Sequence, residues 1–240
     1  MKKFILDTHN HTTASGHAYG TVLEMARAAS EAGLKLLAIT DHAPKLPGGT
    51  DEMYFCNFKV IDKYLYGVEI LMGVELNIID YNGTVDLSEG LLKKMAVCIA
   101  SLHTVCLTPG TKKENTRTLL KSMENPYVHI MGHLDDGRYP IDYEEVVKGA
   151  KAAGVLVELN NSSLVPGGGR TGCHENLVEI LGLCEKYGQE IVVNTDSHFP
   201  TSVGRFGEAI AIMDEVGFPE ELVINSDTEK LKKYLKRSGL

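Results

Sequence analysis

The sequence predicts an α/β fold, specifically a seven-stranded (βα)7 barrel of the TIM-barrel type, and three observations predict it. Short apolar runs of strand length alternate with helix-periodic segments along the whole chain. Seven such runs occur, each followed by a helix or a helical turn, which suits a closed or nearly closed barrel better than an open doubly wound sheet. The first run leads into histidines, where a dinucleotide-binding sheet would carry a glycine fingerprint.

The elements follow in order. Residues 4–6 open the first strand, and residues 21–33 form a helix with Val22, Leu23, Ala26 and Ala29 on one face. Thr21 and Glu24 have capping-box spacing, and Gly33 ends the helix. Residues 34–40 read as strand, 54–66 as helix, 68–74 as strand and 87–94 as a short helix. Residues 97–102 form the fourth strand, and the helix over 115–123 stops before Pro126. Strand 128–131 precedes helix 143–153; strand 155–159 precedes a loop at Pro166-Gly167-Gly168-Gly169 and helix 175–187. Strand 190–194, helix 206–216 and a last helix over 228–236 complete the chain. No repeat, low-complexity tract or linker divides it, so residues 1–240 are expected to form a single domain.

Composition narrows the function. Hydrophobic residues make up 43% and charged residues 23%, and no apolar run is long enough to cross a bilayer. The N-terminus, from Met1 and Lys2 to Asp7, lacks the apolar core of a signal peptide, so a cytoplasmic protein is expected. The five cysteines, Cys56, Cys98, Cys106, Cys173 and Cys184, contain no CxxC pair and read as reduced, buried thiols. A net charge of −8 argues against a general grip on nucleic acid, and the basic tail from Lys230 to Arg237 reads as the solvated face of a helix.

The chemistry lies at the strand ends. The first strand ends in Asp7-Thr8-His9-Asn10-His11, and residues two apart in an extended chain point the same way, about 6.6 Å apart, so both imidazoles can share one metal. Later strands end in Thr40-Asp41-His42, Gly73-Val74-Glu75, Ser101-Leu102-His103, Met131-Gly132-His133 and Asn194-Thr195-Asp196-Ser197-His198. The sixth is the exception: Glu158-Leu159-Asn160-Asn161 offers amides that suit water or substrate. Residues at the C-terminal rim of a barrel converge on one cavity. Seven of the nine histidines, His9, His11, His17, His42, His103, His133 and His198, fall at or just beyond these ends. Burying so many imidazoles and carboxylates requires either compensating charge, which divalent cations supply, or a complete network of hydrogen bonds among satisfied histidines; the cations are the reading favoured. His129 begins its strand and His174 lies near a helix start, and both read as structural or surface groups. Asp7 and Asp41 are candidates for fixing imidazole tautomers from outside the metal sphere, or else for capping loops.

These motifs resemble the polymerase and histidinol phosphatase (PHP) family over nearly the whole chain: His9 and His11 as its opening HxH, then Asp41-His42, Glu75, His103, His133 and Asp196-Ser197-His198. The added His17 resembles the small stand-alone phosphatases with a trinuclear zinc centre. The resemblance implies a distorted seven-stranded barrel. It also implies a division of ligands. His9, His11, Glu75 and Asp196 would hold one metal, Glu75 would bridge to a second held by His103 and His133, and His17, His42 and His198 would hold a third. Imidazoles with a few carboxylates favour zinc, while manganese and iron accept similar sets.

Three divalent ions and two carboxylates sum to a local charge of about +4, which draws an anionic substrate into a concave site even on an acidic protein. The expected activity is hydrolysis of a small phosphate monoester by a metal-bridging hydroxide attacking phosphorus in line. Glu75 and Asp196 would organise the reacting groups, with Arg170 and Arg205 as candidate phosphate clamps. Three other readings compete: an oligonucleotide phosphodiesterase or nuclease, an amidohydrolase-like enzyme, and a non-catalytic metal-binding module. The chain lacks an aromatic-basic surface stretch for the first and a strand-end lysine for the second, and it keeps a complete ligand set against the third. A small phosphorylated substrate is the expected partner, with no membrane and no polymeric nucleic acid; self-association into a homo-oligomer stays open.

Overall fold

The computed structural model describes residues 3–236, so Met1 and Lys2 of the N-terminal reading and Arg237 of the basic tail lie outside the described residues. Two sheets are present. The first has the order β1 (Leu6–Asp7), β2 (Leu36–Ile39), β4 (Val68–Met72), β3 (Tyr64–Leu65), parallel except for the antiparallel edge pair β3 and β4. The second is wholly parallel: β5 (Val74–Asn77), β6 (Cys98–Ser101), β7 (Ile130–Met131), β8 (Leu156–Asn160) and β9 (Ile191–Asn194).

The expected parallel α/β order is therefore present, but the hydrogen-bonded ladder is divided. The single strand expected over 68–74 is two strands that meet at Gly73. Its N–H donates to Ile39 of the first sheet, while the next residue, Val74, donates to Val97 at the edge of the second. A Cβ on Gly73 would lie 2.2 Å from the Val97 carbonyl oxygen, so only glycine lets the chain cross between ladders there. Past the crossing, a lone bridge pairs His42 with Glu75, and at the other seam one pairs Asn10 with Ser197. The buried Asn225 side chain stitches that second seam. It accepts from Val193 N–H and donates to the carbonyls of Leu6 and Val193, replacing ladder bonds between β1 and β9.

Strand alternation sorts the side chains. Leu6, Leu36, Ala38, Ile99, Ile130, Leu156 and Val192 form one buried cluster with Ile224 and with Leu231 of α8 (Thr228–Leu235), so α8 seats against the interior at one end of the strands. The opposite strand faces, including Leu37, Ile39, Cys98, Ala100, Val157 and Val193, pack on the helices. Among these helices, α4 (Lys112–Met123), α5 (Tyr143–Ala153), α6 (Cys173–Tyr187) and α7 (Gly207–Val216) follow one another around the second sheet. Helix α1 (Val22–Glu31) carries both bonds of the expected Thr21–Glu24 capping box.

The helix expected over 54–66 is corrected. It is the short α2 (Glu52–Cys56), a 3-10 turn over Phe58–Val60, and then β3, which pairs back on β4. Tyr66 (φ 51°) and Gly67 (φ 80°) both have positive φ, the signature of a tight two-residue hairpin. Tyr54, Phe55 and Phe58 pack edge to face, and their helical spacing reflects this local cluster. Helix α3 (Glu89–Leu92) is the short helix expected.

All five cysteines are free; Cys98, Cys173 and Cys184 are buried as expected, whereas Cys56 is exposed and Cys106 half-buried. Lys230 and Lys232 pair with Glu190 and Glu69, as a solvated helix face does. Among the described residues, no helix is long and apolar enough to cross a membrane.

Candidate metal centre

The strand ends gather all seven histidines and both carboxylates singled out from the sequence. Following β1, His9 and His11 are fully buried, and their Nε2 atoms lie 3.3 and 3.4 Å from Glu75 Oε2. The same two nitrogens lie 3.6 and 3.2 Å from Asp196 Oδ1. A tetrahedral zinc with bonds of about 2.0–2.1 Å spaces its nitrogen and oxygen donors about 3.3–3.4 Å apart. His9 Nε2, His11 Nε2, His42 Nδ1 and Glu75 Oε2 are buried without a hydrogen-bond partner. Leaving such atoms unsatisfied costs roughly 1–3 kcal/mol each. Cations placed among these groups would satisfy such atoms, so the donor set fits metal.

The other oxygen of Glu75 faces a second pair of imidazoles. Its Oε1 lies 3.3 Å from His103 Nε2 and 3.0 Å from His133 Nε2, so the carboxylate is divided between two groups of histidines. For the third group, the resemblance implied His17, His42 and His198. The structure brings donor atoms of His42 and His198 within 4.8 Å of one another and of His11. His17 lies against both, its Nε2 2.9 Å from that of His198 and its ring stacked on His42 with centroids 5.1 Å apart. His42 Nδ1 also approaches Glu75 Oε2 at 2.7 Å.

Outward-facing ring nitrogens explain how these imidazoles are aimed. His9 Nδ1 donates to Glu158 Oε1 (2.7 Å), His103 Nδ1 to Asn77 Oδ1 (2.7 Å), His17 Nδ1 to the Ser15 carbonyl and His198 Nδ1 to that of Asp196. His11 Nδ1 donates to Ser15 Oγ, which donates in turn to Asp41. Partners of this kind fix the tautomer and leave Nε2 free to bind metal.

Asp41 therefore reaches a ring only through Ser15, and it also ties down Thr12 and Tyr54. Asp7 reaches no ring. It accepts from Thr195 N–H and Oγ1 and so anchors the end of β9; burial pushes its carboxyl up to about 6. Glu158, on the strand set aside as an exception, is the partner that sequence reasoning missed. A glutamate inside the apolar run 155–159 was the available signal, because a buried strand carries a charge only with partners. Besides His9, Glu158 accepts from His133 N–H, Asn160 and Asn194. Glu158→Gln keeps the shape and removes the charge behind His9. It is expected to weaken metal binding about 10–100-fold with the fold intact, measured by competition with a chelator; unaltered affinity would show that Glu158 does not tune the site.

Electrostatics agree with this arrangement. Burial works to raise the Glu75 carboxyl, yet His42, His9 and His103 hold it well below its usual range. Asp196 is likewise held low against burial by His9, His11 and Arg170. Burial drives the His11 imidazole well below its usual value, aided by His42 and His198, which favours the neutral form that binds metal. His133 (φ 27°) and Asp196 (φ 51°) adopt left-handed backbone, each costing roughly 1–3 kcal/mol. Both turn their side chains onto the cluster, where the local strain is retained by surrounding bonds such as His133 N–H to Glu158.

The two arginines differ. Arg170 is largely buried and donates to Asp196 Oδ2 and Ser163 Oγ, both at 3.0 Å. Arg205 is exposed and lines a cavity of about 610 Å³ with Asp196 and His198. His129 accepts from Cys98 N–H away from the cluster, and His174 pairs with Glu215 on the surface.

A parallel α/β fold whose strand ends converge on clustered imidazoles and carboxylates defines a metal-binding α/β protein. The PHP domain model matches residues 7–237, and the chain belongs to the PHP domain family. It is 48% identical to a protein of Clostridium novyi named probable phosphatase, over 99% of this chain and 96% of that one. In fold it is similar to the histidinol phosphate phosphatase of Lactococcus lactis, solved with zinc, L-histidinol and phosphate (TM-score 0.59, 16% identity, 89% of this chain and 94% of that chain). It is also similar to a chain of an archaeal ribonuclease P solved with mature tRNA (TM-score 0.60, 16% identity, 96% and 91% covered). At these identities the two structures speak for the fold alone.

Proposed function

We propose that the chain is a metal-dependent phosphatase that hydrolyses a small phosphate monoester. The observation that carries this reading is Glu75, whose two oxygens face separate groups of imidazoles, Oε2 lying 2.7–3.4 Å from nitrogens of His9, His11 and His42 and Oε1 3.0–3.3 Å from those of His103 and His133, so that one carboxylate can join two cations. His9, His11, Glu75 and Asp196 would hold one ion, and Glu75, His103 and His133 a second. His42 and His198, with His17 or His11, would hold a third. Zinc suits the imidazole-rich set, and manganese or iron would be accepted. When bound, the ions supply Lewis acidity, neutralise phosphate charge and lower the pKa of water.

The protein's own groups do the rest. Arg170 holds Asp196 Oδ2, leaving Oδ1 directed at His9 and His11, and its remaining N–H groups are available to a phosphate oxygen. Arg205 can add a second cationic contact from the rim. Glu158, Asn77 and Ser15 keep three imidazoles in fixed tautomers, so no reorganisation is needed when substrate enters. We further propose that the seven strand positions form one distorted barrel closed at Gly73 and Asn225, that residues 1–240 form a single domain, and that the protein works in the cytoplasm. The shared interior cluster and the lone bridges at both seams support closure.

A screen of phosphate mono- and diesters with the metal-loaded protein, wild type beside His17→Ala, tests the reading. Monoester hydrolysis well above diester cleavage is expected, with a reduced rate in the variant. Preferential cleavage of an oligonucleotide would replace this proposal with a nuclease.

A further inference from the structure

Beside the histidine cluster lies a cavity of about 260 Å³, lined by Arg138 and Arg170 with Ser162, Ser163, Asp196 and His198. Arg170 serves Asp196 at the metal cluster; Arg138 has no bond to any candidate ligand. Its guanidinium is instead held by the buried Asp136, through Nε at 2.9 and 3.0 Å and Nη2 at 2.6 Å. That grip occupies one edge of the fork and leaves the Nη1 side for another partner. Asp136 keeps the group charged, while the nearby Arg170 charge opposes it. Two guanidiniums facing one small cavity, with hydroxyl groups on its wall, make a site for anions.

The placement is built into the backbone. Gly137 N–H donates to the Thr171 carbonyl, and Asn176 of α6 donates to the Asp135 carbonyl, stitching the loop after β7 to the loop after β8 and to the first turn of α6. A Cβ on Gly137 would lie 2.6 Å from the Thr171 oxygen, so the close approach requires glycine. Arg138 is thereby fixed beside Arg170 before any ligand arrives.

We infer that Arg138 is a specificity-determining residue that binds a second anionic group on the substrate, so that the preferred substrate is a phosphate monoester whose leaving group carries a carboxylate or another acid. This rests on the phosphatase reading for the bond that is cleaved. A leaving group bearing an amine is disfavoured by the same charge.

The test compares three monoesters of equal chain length: propyl phosphate, 3-aminopropyl phosphate, and the phosphate ester of 3-hydroxypropanoate. With the metal-loaded wild type, kcat/KM is expected to be about 10–100-fold higher for the carboxylate than for propyl phosphate, the range of one charge-assisted contact, and lowest for the amine. Arg138→Met should erase most of that preference, chiefly through KM, and Arg138→Lys should keep part of it. Because Arg138→Met leaves Asp136 buried without its partner, the double variant Asp136→Asn, Arg138→Met serves if the single one does not fold. Binding of stable phosphonates to the same proteins is measured by calorimetry, independently of turnover. Tighter binding of 3-phosphonopropanoate than of propylphosphonate, lost in the variant, supports the inference even if no ester is hydrolysed, in which case only the phosphatase reading falls. Equal binding of the two phosphonates by the wild type, or a preference that survives the loss of Arg138, overturns it.

Discussion

Glu75→Ala is expected to reduce hydrolysis of a generic aryl phosphate by well over about 100-fold, beyond the upper range for removing a group that merely supports a ligand. Glu75 is the residue on which five nitrogens converge from two sides: His9, His11 and His42 at Oε2, His103 and His133 at Oε1. Without it, His103 and His133 lose the carboxylate they share, His9 and His11 keep only Asp196, and a pair of adjacent cations would lose its common ligand. The protein should still fold, because Glu75 lies at the polar strand ends and the apolar interior is built from other residues. Elemental analysis of the purified variant should show loss of bound metal alongside loss of turnover, with an unchanged circular dichroism spectrum. Full metal content with wild-type turnover would end the assignment of Glu75 as a bridge.

Stripping the metals from the wild-type protein is expected to produce the second large effect, this time on stability. The atoms buried without a hydrogen-bond partner, His9 Nε2, His11 Nε2, His42 Nδ1 and Glu75 Oε2, belong to the folded state, and a cation that binds them has little affinity for the unfolded chain. At a free concentration 1,000 times the dissociation constant, each such site adds about 4 kcal/mol. Denaturant unfolding with and without a strong chelator should therefore show a large shift in midpoint, reversed by adding back zinc. Superimposable curves would mean that the cluster is satisfied by its own hydrogen bonds. Glu158→Gln should behave as an intermediate case, since it removes the support behind His9 and leaves the ligand itself in place.

Much of this site is legible in the sequence. His9 and His11 are two apart at a strand end, and Glu75, His103, His133, Asp196 and His198 each follow a strand-like run, so local periodicity alone assigns them to one rim. Helix positions were equally local: Thr21 and Glu24 form their capping box, and helix α5 has the bounds its periodicity predicts. The misreadings share a cause. The segment over 54–66 looked helical from its aromatic spacing, while its fate was set by the pairing of Leu65 with Val68 across a two-residue turn.

The sequence by itself determined which side chains can bind metal and the strand-helix order that delivers them, because both follow from spacings of two to four residues. Tertiary structure decided the rest. It placed Glu158 behind His9 across 149 positions, it put Arg138 and Arg170 on one cavity, and it sent the chain from one ladder to the other at Gly73. It also tied the Asp7 carboxylate to Thr195, 188 positions away, and not to the imidazoles of the histidines close to it in sequence. Such partners are chosen by which loops the packed strands bring together, and a buried charge or donor takes whichever partner that packing supplies.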